Sequence, residues 1–423
     1  MNWAVSLFVI FAATCIGMVG YGLVRRGAAY SYPFLAAAIC LTFVLPQIPG
    51  LLNDRAVSES ALAATLLMAL LCLLMCHVGW HVGLQGGPST EHSYSEQRLL
   101  HVAVILSAVG SYSFYKFGQL PDEERLRGLL SGTSVAILFF ARLLTYGFAI
   151  AVTCLVNRRS FLAWVIVCVD SGFYFQRIFI AGRRGETAEF CLIIALTFWF
   201  RHKWAIPRTL VLAGLLMSLV GLLGAREYRA ASWYGETKAT SIADIDLYKN
   251  WKELQDEGGP EMRNAVYAIK EKSETGDFEY SLGTWNNLIF SYVPAQLVGE
   301  SFKSALMLTL SPTFERGREP PVGSTYTGFY DAFGSFWYLG CLKFFVIAAL
   351  MGSIYVRAAR GDEAMQILYA LSVVPSMLVI THFTDEIIVS WVHIGAFLLP
   401  AFWYVKALRR PAFRTIPSAY TAA

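Results

Sequence analysis

The stretch Arg177-Ile-Phe-Ile-Ala-Gly-Arg-Arg-Gly-Glu186 stands between two apolar runs, so it reads as a turn at a membrane surface. Arg183 and Arg184 are adjacent and framed by Gly182 and Gly185. A glycine-framed turn presents backbone N–H groups, and two guanidiniums add fork-shaped donors with fixed charge. That combination suits a phosphate or pyrophosphate. Arg226 and Arg229 follow another apolar run, and Arg316 and Arg318 precede a later one. If the apolar segments bundle, these arginines and Arg177 line one basic bowl at headgroup depth. The ordinary alternative is that they snorkel to lipid headgroups or pair with Glu186, Glu227 and Glu315.

A second kind of chemistry is carried by Gly323-Ser-Thr-Tyr-Thr-Gly-Phe-Tyr-Asp-Ala-Phe-Gly334. Tyr326, Phe329 and Tyr330 have rings that stack on sugar faces, and Asp331 can accept a hydroxyl proton; an interfacial aromatic belt with a capping aspartate is the other reading. The short loop Thr381-His-Phe-Thr-Asp-Glu386 carries His382, Asp385 and Glu386, with His382 and Glu386 as further candidate general bases; a simple surface loop is the other reading. Arg142 and Asp170 lie inside apolar runs at matching depth, where an unpaired charge is costly. They are expected to pair with one another, with a proton or ion relay as the alternative. His77 and His81 have an i, i+4 spacing that can clamp a metal, but no third ligand is apparent. No P-loop, nucleophile elbow or metal motif is present, so neither a metal nor a cofactor is expected.

The elements that must position these residues follow from composition. Of 423 residues, 56% are hydrophobic and 15% charged, where a soluble domain carries about a quarter charged residues. Apolar runs near 20 residues recur, the length of a bilayer-spanning helix. The expected class is an all-α polytopic membrane protein. About 11 transmembrane helices are read near 3–24, 32–52, 60–83, 99–115, 133–156, 161–180, 187–200, 205–223, 335–356, 365–381 and 386–407. The seventh is short, and Pro375 suggests a kink in the tenth. No cleavable signal peptide is read at Met1-Asn2-Trp3. The eight cysteines all fall in these runs, which argues against a disulfide framework.

Arg25, Arg26, Arg158, Arg159, Arg201, Lys203, Arg357, Arg360, Lys406, Arg409 and Arg410 fall on one side if the spans alternate. The positive-inside rule makes that side cytoplasmic and puts the N-terminus outside. The chain then divides into helices 1–8 over residues 1–224, an outer loop over 225–334, and helices 9–11 with a short cytoplasmic tail over 335–423. Short helices lying over the membrane are expected in 236–280. The apolar stretch from Leu288 to Leu310 is expected to be interfacial or partly inserted rather than another span. The small net charge of +4 gives no sign of nucleic-acid binding.

At these residues the chain resembles the O-antigen polymerases, the polytopic oligosaccharide repeat-unit polymerases of bacterial envelopes. The resemblance rests on three features: the turn Gly182-Arg-Arg-Gly185, one dominant outer loop late in the chain, and Ser324 to Gly340, reading STYTGFYDAFGSFWYLG. Some members carry loop arginines with a glycine eleven positions on; Arg183, Arg184, Arg226, Arg316 and Arg318 lack it here.

The resemblance implies a GT-C-like architecture in the bacterial inner membrane and glycosyl transfer at its periplasmic face. It implies a substrate carried on undecaprenyl pyrophosphate and a chain-length regulator protein as a partner, beside membrane lipids. Arginines would stabilise the leaving pyrophosphate without a metal. Asp331, His382 or Glu386 would take the acceptor proton. An O-antigen ligase-like enzyme is the nearest alternative, but such ligases use a histidine in the large outer loop, and 225–334 has none. A lipid-linked glycan transporter or flippase is the alternative of another class, and would be expected to show charges lining a two-sided path and pseudo-repeats.

Overall fold

In the computed structural model, residues 3–25, 27–86, 94–121, 133–158, 160–180, 184–233, 246–293, 295–309 and 324–406 are described. Among them the chain is helical, with one isolated backbone bridge, Tyr94 to Lys406, and no strand. Helix α1 spans Trp3–Val24. A second rod starts as α2, Tyr32–Ile39, and passes through a π turn and a 3-10 turn into α3, Pro49–Asn53. Then come α4 (Glu59–Leu84), α5 (Glu96–Gly118), α6 (Thr133–Ala141), α7 (Leu143–Arg158), α8 (Phe161–Phe175), α9 (Arg184–His202) and α10 (Arg208–Trp233). The loop region contributes α11 (Leu247–Glu257), α12 (Pro260–Thr275), α13 (Leu282–Tyr292), α14 (Ala295–Val298) and α15 (Glu300–Leu306). The chain closes with α16 (Gly328–Phe336), α17 (Leu342–Ala359), α18 (Glu363–Thr381) and α19 (Asp385–Val405).

Nine helical stretches among the described residues are long and apolar enough to cross a membrane. This is a multi-pass membrane protein. Apolar side chains remain on the outside of the bundle, as in Trp3, Ile16, Phe161 and Trp403, where they face lipid instead of water. Helices stand where all eleven spans are expected. Two of them, α9 and the apolar part of α10, fall outside the nine.

The bundle has two distinguishable ends. At one end Asn157 Nδ2 donates to Glu363 Oε1 at 3.1 Å, Lys203 Nζ to the Ala359 carbonyl at 3.1 Å, and Arg208 Nη2 to the Val24 carbonyl at 3.1 Å. This gathers the basic loops on one side, as the alternation of spans requires. At the other, the loop end, Arg263 Nη1 meets Asp54 Oδ2 at 2.6 Å and Met262 N–H donates to Gln47 Oε1 at 3.2 Å. These bonds tie α12 to the chain on both sides of α3. The Ala56 N–H, then Arg263, holds the Asp54 carboxyl below its ordinary range.

Close packing of α4 on α17 depends on missing side chains. A Cβ on Gly79 or Gly83 of α4 would lie 2.2 Å from the Phe345 carbonyl or 2.1 Å from the Ala349 carbonyl of α17. Small residues four apart let two membrane helices meet backbone to backbone, where dispersion gains most.

Several expectations are corrected. The ninth span is not one helix from 335. The apolar stretch starts at Gly328 and is broken at Trp337, whose φ of 52° and ψ of −142° no helix accepts. The fifth span is interrupted at Arg142, and the eighth continues to Trp233. The stretch 288–310 is indeed no span: it lies within α13 to α15, with Gly299 at φ 88° entering α15. Two short helices, α11 and α12, stand within 246–280, as expected there; 236–245 lies outside the described residues.

Candidate functional site at the loop end

Asp331 lies in the first turn of α16, and that turn is pressed onto the last turn of α18. Gly328 permits this contact, since a Cβ there would sit 1.8 Å from the Val379 carbonyl. After the Trp337 break the chain doubles back until Gly340 touches the Ala332 carbonyl. The fold-back brings Lys343, in the first turn of α17, to the carboxylate it follows in sequence. Lys343 Nζ donates to Asp331 Oδ2 at 3.3 Å, to Ser335 Oγ at 2.6 Å and to Thr384 Oγ1 at 3.2 Å. Asp331 Oδ2 also accepts from the Thr384 N–H at 3.0 Å and from the Thr384 hydroxyl.

The loop region joins this hub through backbone and side chain. Glu279 N–H donates to the Gly334 carbonyl at 3.0 Å and Tyr280 N–H to the Ser335 carbonyl at 3.1 Å. Ser335 Oγ bonds Glu279 Oε1 at 3.2 Å, and Asn287 Nδ2 of α13 donates to Asp385 Oδ2 at 2.9 Å. Glu279 Oε2 and Asp385 Oδ1 are buried with no hydrogen-bond partner. Burial, and then the Asp331 charge, pushes the Glu279 carboxyl up to about 7. One ammonium therefore sits among three buried carboxyl groups, and the spare oxygens are best satisfied by protons.

Beside the hub is an aromatic shelf. The rings of Tyr326 and Tyr330 are 4.8 Å apart, and Phe383 lies 6.2 Å from Tyr326. Thr325 Oγ1 donates to the Thr381 carbonyl at 2.9 Å, and His382 Nδ1 is 2.8 Å from Thr381 Oγ1. Burial lowers the His382 pKa, which favours the neutral imidazole a base needs.

A second polar group faces the other side of the first turn of α19. Arg142 Nη2 donates to Ser390 Oγ at 3.2 Å. Its charge reaches Glu189, Glu386, His393, Tyr146 and Tyr292. Tyr146 and His393 Nδ1 are hydrogen-bonded at 2.7 Å, and Tyr292 donates to the Val389 carbonyl. Glu189 Oε2 accepts from Tyr174 at 3.3 Å and Thr145 at 3.4 Å. Arg142 does not pair with Asp170. Asp170 is fully buried and accepts from Ser107 Oγ at 2.7 Å, on the α5 side. Matching depth did not fix which face of each helix carries the charge, and the two side chains point to different neighbours.

The structure thus brings Asp331, His382, Tyr326 and Tyr330 together, and puts Glu386 within reach of the Arg142 charge. Arg177 forms an ion pair with Glu186 and stacks over Phe114, 4.5 Å from the ring centre. Arg183, Arg316 and Arg318 lie outside the described residues, as do the side chains of Arg184 on α9 and of Arg226 and Arg229 on α10. His77 and His81 stand edge to face at 4.5 Å, and no cluster of three potential metal ligands occurs among the described residues. Sequence reasoning missed Lys343, Glu279, Glu189 and His393. Glu279 and Glu189 had no local pattern to mark them, whereas Lys343 was legible as a lone cation inside an apolar run.

No protein-family model matches the chain, and neither a curated protein nor a solved structure matches it.

Proposed function

We propose that the chain is a membrane glycosyltransferase that polymerises oligosaccharide repeat units carried on undecaprenyl pyrophosphate, at the periplasmic face of a bacterial inner membrane. The observation that carries this reading is the first turn of α19. It holds Glu386 in the field of Arg142 on one side and Asp385, bonded to Asn287, on the other, next to His382 and the tyrosine shelf. Bases, cations and stacking rings gather at one depth, where a lipid-linked sugar presents its anomeric carbon.

In the reaction, the acceptor hydroxyl oxygen bonds the anomeric carbon as the bond to the pyrophosphate oxygen breaks. The leaving group departs with the electron pair, and the hydroxyl proton passes to a base. Asp331 Oδ2 is held by Lys343 and Thr384, so it serves better as a holding group. Glu386 or neutral His382 is the better base. In this reading Arg183 and Arg184 supply charge to the leaving pyrophosphate.

The test is a lipid-linked oligosaccharide assay on purified protein with chelator present, wild type beside Arg183→Ala/Arg184→Ala. A chelator-insensitive ladder lost in the variant is expected. Wild-type chain lengths in the variant would remove the claim. A transporter is the second reading, and Asp170, buried in the bundle with one oxygen unpartnered, is what favours it. Transport without polymer in reconstituted vesicles would select it.

A further inference from the structure

Arg142 is a membrane-embedded charge with no ion-pair partner among the described residues. Its partner Ser390 stands five residues into α19 from Asp385, about 8 Å of helix, which sets the guanidinium inside a hydrocarbon core of about 30 Å, on its loop side. A guanidinium at that depth requires an anion or water. Three other described cations at the loop end are held in ion pairs: Arg177 with Glu186, Arg263 with Asp54, Lys343 with Asp331. Arg142 has five donors; one goes to Ser390, it forms no ion pair among the described residues, and its side chain remains exposed. Glu189 feels its charge, yet that carboxylate is bonded to Thr145 and Tyr174 instead.

We propose that Arg142 is the anchoring cation of an intramembrane phosphate site, and that its ligand is the phosphate of a polyprenyl carrier. Ser390 sets the guanidinium's orientation, and next to it along α19 are Val389, whose carbonyl accepts from Tyr292, and His393, bonded to Tyr146. Glu189 and Glu386 repel a free inorganic anion. A phosphate tethered to a long hydrocarbon chain overcomes that repulsion, because burial of its chain supplies the binding energy. This deepens the glycosyl-transfer reading, on which the choice of a polyprenyl carrier rests.

The experiment reconstitutes the full chain in phosphatidylglycerol nanodiscs, with and without undecaprenyl phosphate, and reads bound lipid by native mass spectrometry. Wild type is expected to retain undecaprenyl phosphate. Arg142→Gln should weaken retention about 10-fold or more, as expected for loss of a charge-assisted contact. Arg142→Lys should keep part of it, and Ser390→Ala should show a smaller loss. Soluble pyrophosphate should displace the lipid poorly. Wild-type retention in a well-folded Arg142→Gln protein overturns the site, as does Arg142-dependent retention of phosphatidylglycerol at equal strength. If Arg142→Gln does not fold, unchanged retention in both Arg142→Lys and Ser390→Ala overturns it. Arg142-dependent retention by a wild-type protein that forms no polymer keeps the site and removes the glycosyltransferase reading.

Discussion

Lys343 Nζ and Asp331 Oδ2 lie 3.3 Å apart across a break that sends α17 off in a new direction from α16. Both side chains are largely buried, at 17% and 9% exposure, so the pair is shielded from screening and breaking it leaves an uncompensated charge. Lys343→Met should therefore destabilise by about 3–5 kcal/mol. Lys343→Met/Asp331→Leu should lose less than the two single losses added together. Thermal unfolding in detergent reads this, and simple additivity would show that the two residues do not act as a pair.

The loop region should come under pH control through Glu279. Its carboxyl is pushed up to about 7 by burial and then by Asp331, from an ordinary 4.5. The folded state holds the proton more tightly than the unfolded one. The contribution is present at pH 4.5 and is lost as pH rises through 7. Glu279→Gln should remove this slope, an effect of about 1–3 kcal/mol across the window. His382, with its pKa lowered by burial, has the opposite sign: its contribution is lost as pH falls below 6.5. Melting curves at several pH values for Glu279→Gln and His382→Gln separate the two. A Glu279→Gln protein with the wild-type slope would disprove the assignment.

The bundle was legible because span length and charge alternation are local properties. Apolar runs of about 20 residues mark helices wherever they lie, and the loops carrying Asn157, Lys203 and Arg208 do meet partners at one end. The site was legible only in part. Tyr326, Tyr330, Asp331 and His382 stood out because acids and rings gather beside an apolar run. Glu279 was not, because its contact with Ser335 spans 56 residues. Arg142 was seen but given the wrong neighbour. Its actual partner, Ser390, is 248 residues away, and helix rotation decides that choice. The break at Trp337 has no sequence mark either, since φ > 0 there goes with α16 folding against the residues up to Gly340.

The backbone contact between α4 and α17 should be intolerant of any side chain. Gly83→Val would drive a Cβ to 2.1 Å from the Ala349 carbonyl, and neither backbone can yield without separating the helices. A loss of more than about 3 kcal/mol, or failure to accumulate, is expected. Gly20→Ala is the control, because nothing lies within 4 Å of a Cβ there. Equal melting temperatures for Gly83→Val and wild type would contradict the close approach.

The same-end contacts predict a labelling pattern that does not depend on the function. Ser58 is in the connection that contacts α12, and Ser281 precedes α13, so both lie at the loop end. Ser160 and Asp362 flank the helices joined by Asn157 and Glu363, at the opposite end. In a background with the native cysteines replaced, cysteines at Ser58 and Ser281 should react with an impermeant maleimide from one side of sealed vesicles. Cysteines at Ser160 and Asp362 should react only from the other. If the charge rule holds, the reactive side of intact spheroplasts is the one bearing Ser58 and Ser281, because the basic loops face inward. Labelling of Ser281 and Ser160 from one side would break the alternation of spans on which the placement of the candidate site depends.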